Sequence, residues 1–427
     1  MRALSLLLLS ACTQGTLVNG VGDNDGTVVD DIDSEGTEVP DTIACEREPA
    51  TEGAWLEDSL DADIAACQGM LHAFGGPAGA VVSLGAAGTH ASSTELTVMQ
   101  VDGTVLLDTV VDGGTPVELE LPWSGEFLVE ARPADDDASE LTLTAGCVAS
   151  CDAAWTRYPM VFMHGMAGTD SFIGILDYWL GVEDDLTERG YEVSVGAVDP
   201  FQVTPVRAEQ WAEHIEDYLS DGRHRRVSLI AHSQGGLDAR YLAADLDPDG
   251  RVRSVTTVGT PHYGTPVADV FAGTLSDARI TPILLDGLFD AIGALYGQGD
   301  QDIIGQMEQH TAGAMEAFNV DVPDRADVLY ASYSGRTCGA LEVPCLRATG
   351  GEVVNPAFSL TYRVVRWFEG PNDGLIPVTS AEWGIVLDEL PADHLDEVGL
   401  LLGASAPGFD HRDVYRDHAL WLRDQGL

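Results

Sequence analysis

The stretch RRVSLIAHSQGGLDARY, residues 225–241, decides the fold. An apolar run of β type turns abruptly at Ser233 and continues as a helix-like stretch. Small residues two positions before and after the serine, Ala231 and Gly235, are needed because strand and helix cross closely at such a turn. The pattern predicts a nucleophile elbow, which lifts the serine hydroxyl clear of the sheet edge. Ala231 stands where the pattern has glycine, and the alternative is a serine in an ordinary surface turn.

The sequence around this turn alternates between short buried-strand runs and helical stretches. The strand runs are Met160 to Met163, Val193 to Val198, Val227 to Ile230 and Val255 to Val258. Between them, the stretch from Glu209 to Leu219 places Trp211, Ile215 and Leu219 on one helical face. Residues 156–427 are therefore predicted to form a mostly parallel sheet covered by helices, with Ser233 at the carboxyl end of a strand.

Residues 45–151 have the pattern of a small all-β sandwich domain. Apolar and polar residues alternate with a period of two along several short segments, and Asp102-Gly103 supplies a hairpin turn. The alternating apolar residues are Leu96, Val98, Val117, Leu119, Leu121, Leu141 and Leu143. No convergent catalytic set occurs in this region, so a spacer or a weak binding module is its expected role.

The composition limits the partners of the protein. The chain has 427 residues, a hydrophobic content of 45% and a formal net charge of -49, and all 21 of its basic residues are arginine. Such a charge repels nucleic acid and anionic lipid headgroups, so nucleic acid is excluded as a partner. The length allows two folded units with connecting segments.

Residues 1–12 have the pattern of a bacterial lipoprotein signal. Met1-Arg2 is followed by an apolar run from Leu4 to Leu9 and by Ser10-Ala11-Cys12, which predicts lipidation of Cys12 and a membrane anchor. An ordinary signal peptide with a chance cysteine is the alternative. Residues 13–44 are rich in acidic residues and contain no basic one, which predicts a disordered tether. The protein is expected to be exported, as a lipoprotein of the cell envelope or cell surface, or secreted.

Export predicts that the remaining cysteines are oxidised. Cys338 and Cys345 are close enough in sequence to pair locally. The other four cysteines are expected to pair within the β domain, with undetermined connectivity. Zinc binding is the alternative, but no C-x-x-C spacing supports it. These four are Cys45, Cys67, Cys147 and Cys151.

A serine nucleophile needs a histidine that takes its proton and a carboxylate that orients the histidine. In α/β-hydrolases the order along the chain is serine, carboxylate, histidine. Asp373 lies in a turn after the strand-like stretch from Tyr362 to Phe368, and His394 follows it. The other histidines are assigned no proton transfer: His411 and His418 are expected at the surface, and His164 and His232 are expected to pack in loops.

Several motifs in this order resemble those of the foldase-assisted, calcium-containing bacterial triacylglycerol lipases, over roughly residues 158–425. They are YPMVFMHGMAG at 158–168, DYW at 177–179, AHSQGG at 231–236, GTPH at 259–262, NDG at 372–374 and HLDEV at 394–398. The resemblance implies an α/β-hydrolase with Ser233 as nucleophile, His394 as general base and then acid, and Asp373 as its orienting carboxylate. It also implies an oxyanion hole formed by the backbone N–H groups of Met166 and Gln234, and a foldase chaperone as a partner.

The resemblance further implies a structural calcium ion near the histidine loop. Its matching ligands are Asp396, Asn355 and the carbonyls of Leu400 and Ala404. Asn355 stands where the family has aspartate, which removes one negative ligand. The alternative is that Asp396 only makes a structural hydrogen bond. The disulfide of the family does not map, because Thr379 stands near its second cysteine, and Cys338–Cys345 is a local substitute.

The segment 265–314 is rich in leucine, isoleucine and phenylalanine, and it matches the region where the resembled lipases insert a helical lid over the acyl pocket. Its glycines, including Gly287 and Gly293, favour a mobile element. A buried core helix is the alternative.

Together these patterns predict an exported serine hydrolase that cleaves lipid esters at an interface through an acyl-enzyme, that is, a triacylglycerol lipase. The same machinery would serve a carboxylesterase, a phospholipase or a polyester depolymerase. A surface lipoprotein that only binds its ligand is the alternative from another class, and the intact set of serine, aspartate and histidine argues against it.

Overall fold

The computed structural model describes residues 52–55, 59–64, 69–89, 93–112, 115–134, 139–166, 178–275, 302–399 and 406–427. These residues all belong to one unit that spans residues 45–427. The predicted lipoprotein signal with Cys12, the predicted tether at 13–44, and Cys45 and Cys67 lie outside the described residues.

The first nine strands form two sheets that face each other, which confirms the predicted sandwich. One sheet has the order β1-β3-β8-β5-β6 and the other has the order β2-β9-β4-β7. Leu96 and Val98 of the first sheet and Leu141 and Leu143 of the second are fully buried in one shared core. The strands are β1 Glu52–Trp55, β2 Ser59–Ile64, β3 Met70–Gly76, β4 Val81–Gly88, β5 Ser93–Met99, β6 Val105–Asp112, β7 Val117–Glu120, β8 Gly125–Pro133 and β9 Ser139–Ala149.

The remaining strands form a parallel sheet of the order β11-β10-β12-β13-β14-β15. The central strands β10 and β12 are buried along their whole length, as expected for strands that are covered on both sides, whereas the edge strand β15 is exposed along most of its length. The sheet confirms the predicted α/β class, although β11 ends at Val195 rather than Val198. The strands are β10 Met160–Met163, β11 Val193–Val195, β12 Val227–His232, β13 Val252–Val258, β14 Leu329–Gly335 and β15 Ile385–Leu390.

Helices cover both faces of this sheet. On one face, Ala208, Trp211 and Ile215 pack against Val161 and Leu229. On the other, Tyr415, Ala419 and Leu422 pack with Met160, Phe162 and Ile230. The helices are α1 Val182–Glu188, α2 Thr204–Leu219, α3 Gln234–Tyr241, α4 Pro266–Phe271, α5 Ile303–Gln309, α6 Ala312–Asp321, α7 Val343–Ala348, α8 Ser359–Phe368, α9 Val378–Ala381 and α10 His411–Asp424. No helix within the described residues is both long and apolar enough to cross a bilayer.

One predicted strand is wrong, because the stretch from Tyr362 to Phe368 belongs to helix α8. Its aromatic and β-branched residues suggest a strand by composition. Their burial follows the helical period instead, since Tyr362 and Val365 are buried whereas Arg363 and Arg366 are exposed.

The sandwich and the parallel sheet are joined by polar contacts. Glu126 of β8 pairs with Arg157 at 2.6 Å and with Arg225 at 3.4 Å. A cleft of about 540 Å³ also lies between them, lined by Asp102 and Arg226 among others. It opens near the amino-terminal end of β12, opposite the end that carries Ser233.

The structure contains two disulfides in its described part. One joins Cys338 to Cys345, the pair expected from sequence, and the other joins Cys147 to Cys151.

The predicted lid, 265–314, is described only at its two ends. These ends contain α4, α5 and the start of α6, and Val267, Ala268 and Met307 are buried against Val365 of α8. Residues 276–301 lie outside the described residues, and with them most of the apolar side chains assigned to the lid.

Candidate active site

The predicted turn lies between β12, which ends at His232, and α3, which begins at Gln234. Ser233 itself has φ 56° and ψ -130°, a conformation that is strained for any residue except glycine. Ser150 is the one other non-glycine residue with positive φ in the described part of the chain. A Cβ atom at Gly235 would lie 2.6 Å from the carbonyl oxygen of Met163, so the turn requires glycine at that position.

The structure brings together the three side chains that the sequence assigns to the triad. His394 Nε2 lies 2.9 Å from Ser233 Oγ, and His394 Nδ1 lies 2.7 Å from Asp373 Oδ2. The other carboxylate oxygen of Asp373 accepts hydrogen bonds from the N–H groups of Leu375 and Ile376, at 2.8 and 2.6 Å. These bonds fix the carboxylate, so Oδ2 is left to face the imidazole.

The two segments expected to form the oxyanion hole lie on either side of Ser233. Gln234 is the first residue of α3, so its N–H group has no partner within the helix. Its side chain is held by Gln202 and Gln306, at 2.9 and 2.5 Å. Met166 follows β10 and packs against the apolar cluster around Val267.

A buried arginine that the sequence reasoning did not single out links these two segments. Arg207 Nε pairs with Asp238 of α3 at 2.7 Å, and both side chains are fully buried. The same guanidinium donates to the carbonyl of His164 and to that of Asp199, each at 2.6 Å. The loop that carries Met166 and the helix that carries Gln234 are therefore joined through one side chain.

A second carboxylate lies beside the histidine. Glu397 Oε2 is 3.6 Å from His394 Nδ1 and 2.9 Å from His232 Nε2. Burial raises the pKa of Glu397, as does the nearby Asp373. Burial also lowers the pKa of His232, whose Nδ1 is hydrogen-bonded to the hydroxyl of Tyr178 at 2.6 Å. His232 therefore fills a buried hydrogen-bonded position, in keeping with its expected packing role.

The predicted metal ligand Asp396 lies in a buried group of carboxylates with Glu352 and Asp393. Oxygens of the three side chains lie within 4.8 Å of one another. Burial and, to a smaller extent, the neighbouring carboxylates raise the pKa of Asp396 to about 7 and that of Glu352 to about 8. Glu352 and Asp393 were not predicted; the only available signal was the position of Asp393 directly before His394.

Among the described residues, the other predicted calcium ligand, Asn355, has its side chain outside this group. The side-chain oxygen of Asn355 accepts a hydrogen bond from the N–H of Ala357 at 3.0 Å, and its own N–H donates to Asp393 at 2.8 Å. Asn355 therefore caps a short 3₁₀ helix rather than facing Asp396. Leu400 and Ala404 lie outside the described residues.

The histidines expected at the surface are placed differently by the structure. His418 is fully buried, where it stacks on Trp421, and burial lowers its pKa to about 3. His411 is half-buried and bonds to the carbonyl of Leu180 at 2.8 Å. The sequence places both on a polar C-terminal helix, but the buried face of that helix includes His418. His164 is buried as expected, and its pKa is lowered to about 3, first by burial.

A six-stranded parallel sheet with a strained serine turn at the carboxyl end of a central strand defines the protein as an α/β-hydrolase. No family model matches the chain. The triacylglycerol lipase of Burkholderia plantarii is 31% identical over 337 residues, which cover 68% of this chain and 93% of that protein. The triacylglycerol lipase of Vibrio cholerae is 32% identical over 287 residues, which cover 64% and 89%. Among solved structures, mature Bacillus licheniformis lipase BlEst2 shares 20% identity, with coverage of 64% of this chain and 93% of that chain and a TM-score of 0.44.

The chain belongs to the bacterial triacylglycerol lipase family. It is a lipid ester hydrolase, which confirms the enzyme class and the bacterial triacylglycerol lipase family predicted from its motifs.

Proposed function

We propose that the protein cleaves carboxylic esters of lipids, triacylglycerols foremost, through an acyl-enzyme on Ser233. The observation that supports this most is the continuous chain of hydrogen-bond distances from Ser233 Oγ through His394 to Asp373. As Oγ attacks the ester carbonyl, His394 Nε2 takes its proton, and Asp373 holds the imidazolium at Nδ1. His394 then returns the proton to the leaving alcohol, and water releases the fatty acid by the same steps.

The negative charge that develops on the carbonyl oxygen would be stabilised by the backbone N–H groups of Met166 and Gln234. Such donors act strongly because they are already oriented when the charge forms. The Arg207 cross-link supports this role, because it holds the segments of both donors in place before substrate binds.

The proposal is tested by hydrolysis of a series of esters of increasing acyl length that ends with emulsified triolein. Ser233→Ala and His394→Ala are expected to lose nearly all activity on every ester while keeping the thermal unfolding midpoint. Ser150→Ala is the matched control, since Ser150 shares the positive φ of Ser233 but is exposed and directly follows β9, the last strand of the sandwich. Activity on soluble short esters with none on triolein would make the enzyme a carboxylesterase. Full activity of Ser233→Ala would reject the mechanism.

We also propose that Asp396 and Glu352 hold a calcium ion, with Asp393 next to it. The residues fit a cation, because Glu352 Oε2 is buried without a hydrogen-bond partner in the described structure and three carboxylates meet there. The ion would neutralise these carboxylates and steady the loop that carries His394. Calcium is expected to raise the unfolding midpoint of the wild type and not that of Glu352→Gln/Asp396→Asn. Equal midpoints with calcium and with chelator would reject the site.

Export, lipidation of Cys12, a lid within residues 265–314 and dependence on a foldase complete the proposal. They are supported by the sequence pattern of residues 1–12 and by the motifs shared with the family. A lipidated protein should partition into detergent, and Cys12→Ser should abolish this partition. An unmodified N-terminus beyond Cys12, observed by mass spectrometry, would contradict the anchor.

A further inference from the structure

Large apolar side chains are exposed on one side of the molecule around α7 and α8. Leu341 is 94% exposed, Trp367 is 71% exposed and Val343 is 53% exposed. They belong to one surface, because Glu342 accepts a hydrogen bond from Tyr362 at 2.7 Å and lies 3.7 Å from Arg366, which precedes Trp367. Exposed apolar residues that lie together mark a contact surface.

The same surface differs in charge from the rest of the chain. Residues 336–370 contain four arginines and three glutamates, a net charge of +1 in a chain of net charge -49. Arg347 and Arg363 are exposed, and no carboxylate of the described residues forms an ion pair with either. Of the three glutamates, Glu352 is buried and Glu342 is held by Tyr362 and Arg366, which leaves Glu369 exposed. We call Leu341, Val343, Arg347, Arg363, Arg366 and Trp367 the α7–α8 rim.

The rim lies on the far side of the helix whose inner face borders the candidate active site. Val365 of α8 packs with Val267 and Met307, and Met166 packs against the same cluster. At the end of α8, the side chain of Asn372, next to Asp373, donates to the carbonyl of Gly370 at 2.9 Å. One helix thus has its inner face at the site and its outer face in the rim.

We propose that the α7–α8 rim docks the enzyme on an anionic lipid surface. This inference rests on the proposed action on lipid esters. Tryptophan and leucine enter the boundary between headgroups and acyl chains, and arginine binds phosphate or carboxylate oxygens. The net charge of the protein opposes such a surface, but at physiological ionic strength a charge is screened beyond about 8 Å. The local charge of the rim therefore decides which side of the molecule approaches.

The test uses binding to phosphatidylcholine vesicles with and without phosphatidylglycerol, measured by sedimentation of the full chain carrying Ser233→Ala and Cys12→Ser, so that the proposed lipid anchor does not contribute. The parent protein is expected to prefer the vesicles that contain phosphatidylglycerol. Leu341→Ser/Trp367→Ser should weaken binding to both vesicles by about tenfold or more. Arg347→Gln/Arg363→Gln should reduce the preference by about fivefold per arginine, while binding to phosphatidylcholine alone stays unchanged.

Val320→Ser and Arg412→Gln are matched controls, because Val320 is 76% exposed on α6 and Arg412 is exposed on α10. The proposal would be overturned if all rim variants bound the vesicles as well as the parent and the controls do. It would also be overturned if the parent bound both kinds of vesicle equally. In the chain with Ser233 intact, the rim variants should keep the kcat/KM of the wild type on a soluble short ester. If the protein fails to cleave triolein but the vesicle-binding results for the parent and the rim variants are as expected, the proposed substrate would be wrong and the docking role of the rim would stand.

Discussion

Replacement of Arg207 is expected to weaken both the fold and the oxyanion hole. Its guanidinium joins Asp238, the carbonyl of His164 and the carbonyl of Asp199 within 2.6–2.7 Å. Arg207→Met leaves Asp238 buried without its partner, which costs about 3–5 kcal/mol. Each carbonyl left without a donor adds about 1–3 kcal/mol. Since domains are stable by only about 5–15 kcal/mol, Arg207→Met should be barely folded.

Arg207→Lys is the informative variant, because it keeps a positive charge beside Asp238. One ammonium cannot reach all three acceptors, so we expect a loss of about 2–4 kcal/mol in the free energy of unfolding. The loop before Met166 also becomes free to move, and loss of an oxyanion donor reduces kcat by about a hundredfold or more. Arg207→Lys should therefore reduce kcat by at least about tenfold without a matching rise in KM.

Urea unfolding and steady-state hydrolysis of a soluble ester measure the two effects separately. Burial already raises the pKa of Asp238 to about 6 with Arg207 present. A carboxyl whose folded pKa is raised loses stability as pH increases, so the destabilisation of Arg207→Met should grow above about pH 6. The double variant Arg207→Met/Asp238→Asn should recover part of the loss. An Arg207→Lys protein with the stability and kcat of the wild type would refute the role given to this cross-link.

Three further outcomes are expected. Asp373→Asn should retain a clearly higher kcat on a soluble ester than His394→Ala, because Glu397 lies 3.6 Å from His394 Nδ1. The double variant Asp373→Asn/Glu397→Gln should lose this remaining activity. Equal rates for Asp373→Asn and for the double variant would exclude a contribution from Glu397. Burial lowers the pKa of His418 to about 3, so the unfolded chain binds its proton first and the free energy of unfolding should fall as pH drops from about 6.5 to about 3. In urea titrations His418→Gln should flatten this fall by about 1.4 kcal/mol per pH unit, and an unchanged slope would contradict the assignment. Burial raises the pKa of Glu352 to about 8, so the chelator-treated protein should lose stability as pH rises from about 4.5 to about 8. Calcium should offset this loss. If the unfolding midpoint changes with pH in the same way with and without calcium, the result would count against the metal site.

The serine turn is predictable because its constraints are local. The strained backbone of Ser233 and the lack of space at Gly235 arise within a few residues, so they leave a pattern that can be read directly. Asp373 and His394 are predictable in a different way, through their order along the chain and the motifs around them. The period of two in Leu96 and Val98 likewise reports a sandwich strand directly.

The parts that the sequence does not reveal depend on contacts between distant segments. Glu352 meets Asp396 only because the loop after α7 folds back against the histidine loop. Arg207 is one of 21 arginines, and nothing local marks it, or Arg240, as a residue that is fully buried in the described part of the chain. The stretch from Tyr362 to Phe368 has strand-like composition, and its helical form follows from the packing of Val364 and Val365 against α4.

The central claim is that Ser233 is the one nucleophile, activated by His394. Its most direct test is labelling of the intact protein with an active-site phosphonate, followed by mass spectrometry of its peptides. One phosphonate per chain is expected, located on Ser233, and none is expected in Ser233→Ala or His394→Ala. Labelling of a different serine, or undiminished labelling of His394→Ala, would contradict it.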